Sequence, residues 1–196
     1  MAGKTTKLSG VKILLCVSGG IAAYKAVELA GRLVCAGAKV KTVMTANARR
    51  FVGPKSLEAV TGSAVYTSLW QAPEQYKIGH IGLADWAQIV VVAPATANIT
   101  GKAANGICDD LLSTVLCVCW RKPVLFAPAM NEKMWANPAV QRNIKSLQAA
   151  GVELIGPEKG RLASGAKGMG RMAEPEVILE AIDKIASKIK RRKKHF

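Results

Sequence analysis

The sequence predicts an α/β fold: a doubly wound parallel sheet with helices on both faces. Three observations carry this. Near-continuous apolar runs of strand length recur, as in VKILLCV (11–17), AQIVVVAPAT (87–96) and KPVLFAPAMN (122–131); strands covered on both faces read this way. Segments with helical periodicity alternate with them along the chain, the pattern of a layered sheet with crossover helices. The 196 residues, half of them hydrophobic, suffice for one domain's core without metals or disulfides.

The elements follow in order. After the first strand, SGGIAAYKAVELAGRLVCAG places Ala26, Leu29, Ala30 and Leu33 at helical spacing, with Gly37 as the stop. KVKTVMT (39–45) is the next strand, and PKSLEAVTG a short helix with Pro54 near its start. AQIVVVAPAT is a strand running into a loop. TGKAANGICDDLLSTVLCVCW reads as a helix interrupted around Gly106, and KPVLFAPAMN as strand and loop. NPAVQRNIKSLQAAG is a helix capped by Asn137, with Pro138 at its first position. VELIG is a strand, and EPEVILEAIDKIASKIK the closing helix. Right-handed crossovers connect such strands, giving a Rossmann-like, flavodoxin-like three-layer sandwich. The expected boundaries are a flexible N-terminus (1–10), one domain (11–187) and a basic tail (188–196).

Charge and cysteine usage exclude several classes. The net charge is +15, yet nine of the 28 basic residues lie in residues 1–12 and 188–196, so the body carries 19 against 13 acids. The tail KIKRRKKHF reads as a solvated, disordered end. No aromatic stripe interleaves with it, so a nucleic-acid surface gets no support. No apolar run reaches the ~18–20 residues of a membrane helix, and MAGKTTKLSG has no secretory character, so a cytoplasmic protein is expected. Five cysteines without a CxxC pair read as reduced, buried thiols.

Ligands of open α/β sheets bind beyond the carboxyl ends of the strands. Four unusual segments fall there: SGGIAAYK, APATAN, APAMNEKMW and the glycine-rich GRLASGAKGMGRMAE. Ser18, Gly19 and Gly20 lie between strand and helix, where backbone N–H groups and the helix N-terminus favour a phosphate. The pattern is not GxGxxG, and no acid ends the second strand to grip a ribose, which favours a mononucleotide over NAD. Thr45 adds a hydroxyl near the same phosphate. Thr96, Asn98 and Asn131 project polar groups from two similar Ala-Pro-Ala exits. His80, in KIGHIGLADWA, is the one histidine outside the tail; a lone histidine of this kind is usually structural, and where a proton must move near neutral pH it is the ordinary candidate. No metal-ligand spacing and no G-x-S-x-G elbow occurs.

VSGGIAAYK, GHIGLADWA, VVAPATANITGKAANGICDDLLST, PVLFAPAMNEKMWANPAVQRN and GMGRMAEPE together resemble the homo-oligomeric flavin-containing cysteine decarboxylases, over residues 11 to about 180. PAMNEKMW matches the family's PxMNxxMW signature. The resemblance implies FMN bound between subunits of a homotrimer, or of a dodecamer built from trimers. It places Gly19, Gly20, Ile21 and Thr45 at the phosphate, and Thr96, Ala97, Asn98 and Ile99 along the isoalloxazine with Ser113 and Ala129 nearby. It gives His80 as the active-site histidine and Asn131, beside Met130, as the group that grips the substrate carboxylate. Arg161, Leu162 and Ala163 belong to the substrate-covering flap. The implied reaction converts phosphopantothenoylcysteine to 4'-phosphopantetheine in coenzyme A biosynthesis: the cysteinyl thiol is oxidised to a thioaldehyde, CO₂ leaves, and the enethiolate is reduced and protonated.

Ser164 departs from the family, which commonly carries cysteine there as the final proton donor. A thiol has a pKa of roughly 8.5, and an alcohol is a far weaker acid. Three readings stay open: a complete decarboxylase with protonation through Ser164 and a water or by another group; a decarboxylase of peptide C-terminal cysteines that stops at the enethiol; and a non-catalytic FMN-binding regulatory subunit. Bacterial relatives are often fused to a synthetase, and here a separate phosphopantothenoylcysteine synthetase is one expectation and a single-function variant the other.

Overall fold

A computed structural model describes residues 8–70, 79–161, 165 and 167–193. Strands β1 (Lys12–Val17), β2 (Lys39–Met44), β3 (Val65–Tyr66), β4 (Ile89–Ala95), β5 (Val124–Pro128) and β6 (Glu153–Leu154) form one sheet in the order β3-β2-β1-β4-β5-β6. Every pair in it is parallel. The chain adds strands outward from β1 to one side, then returns to add β4, β5 and β6 on the other. The order therefore reverses between β1 and β4, which opens a crevice at their carboxyl ends.

Both faces are covered, and the pleat sorts side chains between two cores. Ile13, Leu15 and Val17 of β1 join Ile89, Val91 and Ala93 of β4 under α1 (Tyr24–Cys35), α2 (Pro54–Thr61) and α8 (Pro175–Lys193). Leu14 and Cys16 join Val90, Val92 and Phe126 on the other face. There α3 (Gly79–Trp86), α4 (Ala97–Ala104), α5 (Leu111–Val118) and α7 (Pro138–Ala149) lie. The predicted three-layer α/β architecture is the observed one.

Several elements differ from the sequence reading. The helix expected from residue 100 begins at Ala97 and ends at Ala104; Gly106, at φ +68°, turns the chain before Asp110 caps α5 with its own side chain. β3 and α6 (Glu132–Ala136) are too short to show periodicity in the sequence. The glycine-rich stretch, whose composition suits neither a helix nor a long strand, holds two short ones: β7 (Glu158–Arg161) and β8 (Lys167–Arg171) pair as an antiparallel hairpin. Its glycines serve contact: a Cβ at Gly168 would collide with the Glu132 carboxylate, and one at Gly170 with the Met130 carbonyl. Leu8, in the segment read as flexible, is 1 % exposed in the core. α8 runs on to Lys193, past the expected start of a disordered tail; Lys and Arg are good helix formers and suit a helix C-terminus.

Candidate functional site

The crevice between β1 and β4 is closed at its floor by Ser18. Its hydroxyl donates to the Pro94 carbonyl at 2.7 Å and accepts from the Thr96 N–H at 3.2 Å. The Thr96 hydroxyl lies 3.1 Å away. With the serine proton committed to Pro94, the threonine hydroxyl is the donor in that contact. Ser18 is thus a buried cross-tie that fixes the two strand exits relative to each other.

Above this floor opens a cavity of about 760 Å³. Four chain segments wall it: Gly19–Lys25 after β1, Thr96–Asn98 after β4, Ala129–Asn131 with Met134 after β5, and Arg161 with Gly170–Met172 from the hairpin. Each segment is held. A Cβ at Gly19 would collide with Asn47, and one at Gly20 would lie 3.2 Å from the Thr96 methyl, so both positions press against neighbours. The Ala129 N–H bonds the Ala95 carbonyl at 3.0 Å, and the Met130 N–H bonds the Gly170 carbonyl at 2.9 Å.

The electrostatics favour an anion. Gly20, in extended conformation, leads into a 3₁₀ turn (Ile21–Ala23) and then α1, with no side-chain cap on its N–H groups. Thr96 starts α4, also without a side-chain cap bond. The first N–H groups of a helix lack intrahelical partners and carry partial positive charge. Lys25, Arg161 and Arg171 add cations, and no acidic residue lines the cavity among the described residues. Asn131 caps α6: its side-chain oxygen accepts from the Lys133 N–H at 2.9 Å. That bond fixes the amide orientation and leaves the NH₂ group as a donor for a ligand.

Comparison with known proteins bears on this arrangement. The profile of the family described as Flavoprotein matches residues 1–187. The chain belongs to the flavoprotein family. Across 177 residues the flavoprotein is 49 % identical to the coenzyme A biosynthesis bifunctional protein CoaBC of Bacillus subtilis (strain 168), covering 90 % of this chain and 43 % of that one. It therefore spans less than half the length of that curated relative. It is also similar to a solved structure of a cysteine-to-serine mutant of PPC decarboxylase complexed with pantothenoylaminoethenethiol, with TM-score 0.80 and 37 % identity over 88 % of this chain and 96 % of that one. A structure of the FMN binding protein AtHal3 matches with TM-score 0.76 and 36 % identity over 88 % and 94 %.

The flavoprotein brings some of the residues expected from sequence into one place and separates others. Gly19, Gly20, Ile21, Thr96, Ala97, Asn98, Ala129, Met130, Asn131 and Arg161 line the cavity. Ser18 lies beneath it. Thr45 sits outside, its hydroxyl accepting from the Ala48 N–H at 3.1 Å. Ile99 is fully buried in the core, and Ser113 is taken up by the capping box with Asp110. His80 lies half-buried at the start of α3 and is not among the residues that line the cavity. Leu162, Ala163 and Ser164 fall outside the described residues.

Sequence reasoning passed over Tyr24, Lys25, Met134 and Met172, which also line the flavoprotein's cavity. For Lys25 the signal was present. Lys25, Leu29 and Leu33 recur every fourth residue, so the lysine shares the buried stripe of α1, where a charge demands a partner. Burial leaves Lys25 6 % exposed. The thiols divide as well: Cys16 and Cys119 are buried, whereas Cys35, Cys108 and Cys117 are exposed, and all five are free.

Proposed function

We propose that this flavoprotein binds FMN in the cavity and decarboxylates phosphopantothenoylcysteine in coenzyme A biosynthesis. One observation carries the reading: a glycine turn with helix N–H groups, two Ala-Pro-Ala exits and an oriented asparagine amide converge on one cavity at the reversal of strand order. The volume lies within the ~300–1,000 Å³ usual for small-molecule sites. The residues fit the cofactor. Gly19 and Gly20 form a cradle that a Cβ would fill, and the adjoining N–H groups suit a phosphate. Thr96, Ala97, Asn98 and Ala129 give a narrow polar and apolar wall suited to a flat ring. The relatives' names, CoaBC, PPC decarboxylase and FMN binding protein, support the same assignment.

Bound FMN supplies an electron sink for the cysteinyl thiol, which is what makes loss of CO₂ from an unactivated carboxylate feasible. The chain's residues do the rest. The Asn131 NH₂ group, aimed by its cap bond, donates to the substrate carboxylate. Arg161 offers a cation to an anionic substrate at the cavity mouth. His80 serves as the proton-transfer group, contributed to the cavity by a neighbouring copy in a trimer. Its absence from the cavity lining of its own chain supports that division. So do the exposed Ile81, Val118 and Trp120 on and beside the mutually packed helices α3 and α5.

A second reading has a specific observation behind it. Ser164 stands where the family commonly has cysteine, and the similar cysteine-to-serine decarboxylase structure holds an enethiol. In this reading the reaction ends at the enethiol, for want of an acid as strong as a thiol. The test is to reconstitute the purified chain with FMN, read absorbance at about 370 and 450 nm, supply phosphopantothenoylcysteine, and follow CO₂ and the organic product. Saturated phosphopantetheine is expected from the first reading and an accumulating enethiol from the second. A chain that takes up no flavin overturns both.

A further inference from the structure

The cavity wall facing the glycine turn is the end of β8, and it is fastened in two places. One is the bond from the Met130 N–H to the Gly170 carbonyl. The other comes from across the molecule. Lys25 rises from the first turn of α1, immediately after the glycine turn, and its side chain is 8 % exposed. Its Nζ donates to a carboxylate oxygen of Glu174 at 2.9 Å and to the Met172 carbonyl at 3.4 Å. The other oxygen of Glu174 accepts from Arg171. Glu174 thereby neutralises two of the three cations that line the cavity among the described residues. Arg161, without an ion pair among the described residues, remains as the open charge.

We propose that Lys25 is a positioning residue for the substrate wall: its ion pair with Glu174 fixes the end of β8 against α1 and so sets the gap between the glycine turn and Asn131. The geometry supports this over a purely local role. The partners lie 147 and 149 residues away in sequence, so the contact joins the first crossover to the segment that leads from β8 into α8. Met172 and Ala173, each 1 % exposed, are the residues held down by it. Met130 and Asn131 hang from the same strand through Gly170. A shift of β8 would therefore move the asparagine that meets substrate while leaving the glycine turn in place. The term substrate rests on the decarboxylase reading; the structural claim does not.

The experiment uses the FMN-loaded protein, with Lys25→Met, Lys25→Arg and the near-isosteric Glu174→Gln. Hydrogen exchange by mass spectrometry is read on the peptides covering Gly168–Glu174 and Met130, alongside flavin absorbance and steady-state kinetics. For Lys25→Met and Glu174→Gln, exchange in both peptides is expected to accelerate about tenfold with flavin retained. KM for phosphopantothenoylcysteine is expected to rise about tenfold while kcat changes less. Lys25→Arg is expected to restore most of both. Loss of flavin with unchanged exchange would make Lys25 a cofactor ligand and overturn the proposal, as would wild-type exchange in both variants. Accelerated exchange in a protein that decarboxylates nothing would sustain the positioning role while removing the decarboxylase reading. If Lys25→Met does not fold, Glu174→Gln decides alone.

Discussion

Asn131 caps a helix and lines the cavity with one side chain, and substitution separates the cap from the proposed contact with substrate. Its oxygen caps α6 through Lys133, and its NH₂ group is the donor left for a ligand. Asp is as good an N-cap as Asn, so Asn131→Asp is expected to change stability by less than ~0.5 kcal/mol. The donor, however, becomes a negative charge, which in the proposed function faces a substrate carboxylate. Loss of a hydrogen bond to a charged group costs about 1.5–3 kcal/mol, and repulsion adds to it. A fall in kcat/KM of about 10²-fold or more is expected, with Tm and flavin absorbance unchanged; near-wild-type turnover would remove Asn131 from carboxylate binding. The thiols are read on the same scale. Burial, with smaller contributions from Cys119 and Asp110, raises the Cys16 pKa well above the usual thiol value, and burial pushes Cys119 up to about 11. A thiol with a raised pKa stays protonated and unreactive through neutral pH. Cys16 and Cys119 are therefore expected to resist an aromatic disulfide reagent at pH 8 in the native protein and to react once it is unfolded. Rapid native labelling of either, mapped by peptide mass, would show that its strand or helix opens readily.

The hairpin is the element on which sequence reading and structure differ most, and the reason is physical. Glycine weakens a strand in general, because it adds backbone entropy and packs no side chain. In β8 the absent side chains are what allow the strand to lie against α6. Gly170 has φ +142° and no room for a Cβ beside the Met130 carbonyl. Gly170→Ala is expected to cost about 2–3 kcal/mol from strain and overlap, lowering Tm by about 4–12 °C for a chain of this size. Exchange at Met130 should rise with it, since its bond to Gly170 is the one displaced. A variant with unchanged Tm and protected Met130 would show that the hairpin is not held where described. The apolar elements were legible because strand length, helical spacing and the Asn137–Pro138 start each follow from local chemistry. β3, α6 and the hairpin were not, because two- and five-residue elements carry no period and the hairpin depends on contacts made far along the chain. At the site, the two glycines and both Ala-Pro-Ala exits were legible as an unusual cluster. Lys25 was legible only in retrospect, from its place on the buried stripe of α1.

At the scale of the whole molecule, if His80 is the proposed proton-transfer group, its position decides how many chains make one site. A single chain gathers the glycine turn, Thr96–Asn98 and Asn131 about one cavity, and leaves His80 on α3 outside it. Near α3 and α5 the surface shows Trp120 at 67 % exposure, with Ile81 and Val118 also exposed. Such apolar side chains are favourable in an interface and are a liability without one. If a neighbouring copy supplies His80, a symmetric oligomer places each histidine in the next copy's cavity. His80→Asn and Asn131→Asp should each be inactive alone, for independent reasons. Unfolding and refolding them together at equal amounts would create sites that pair an intact histidine from one copy with an intact asparagine from the next. Random assembly gives such a pairing in about a quarter of the sites, so about a quarter of wild-type activity is expected, with a trimeric or larger mass by light scattering. If each chain forms its own complete site, every site carries one lesion, and the mixture stays as inactive as its parts whatever the measured mass.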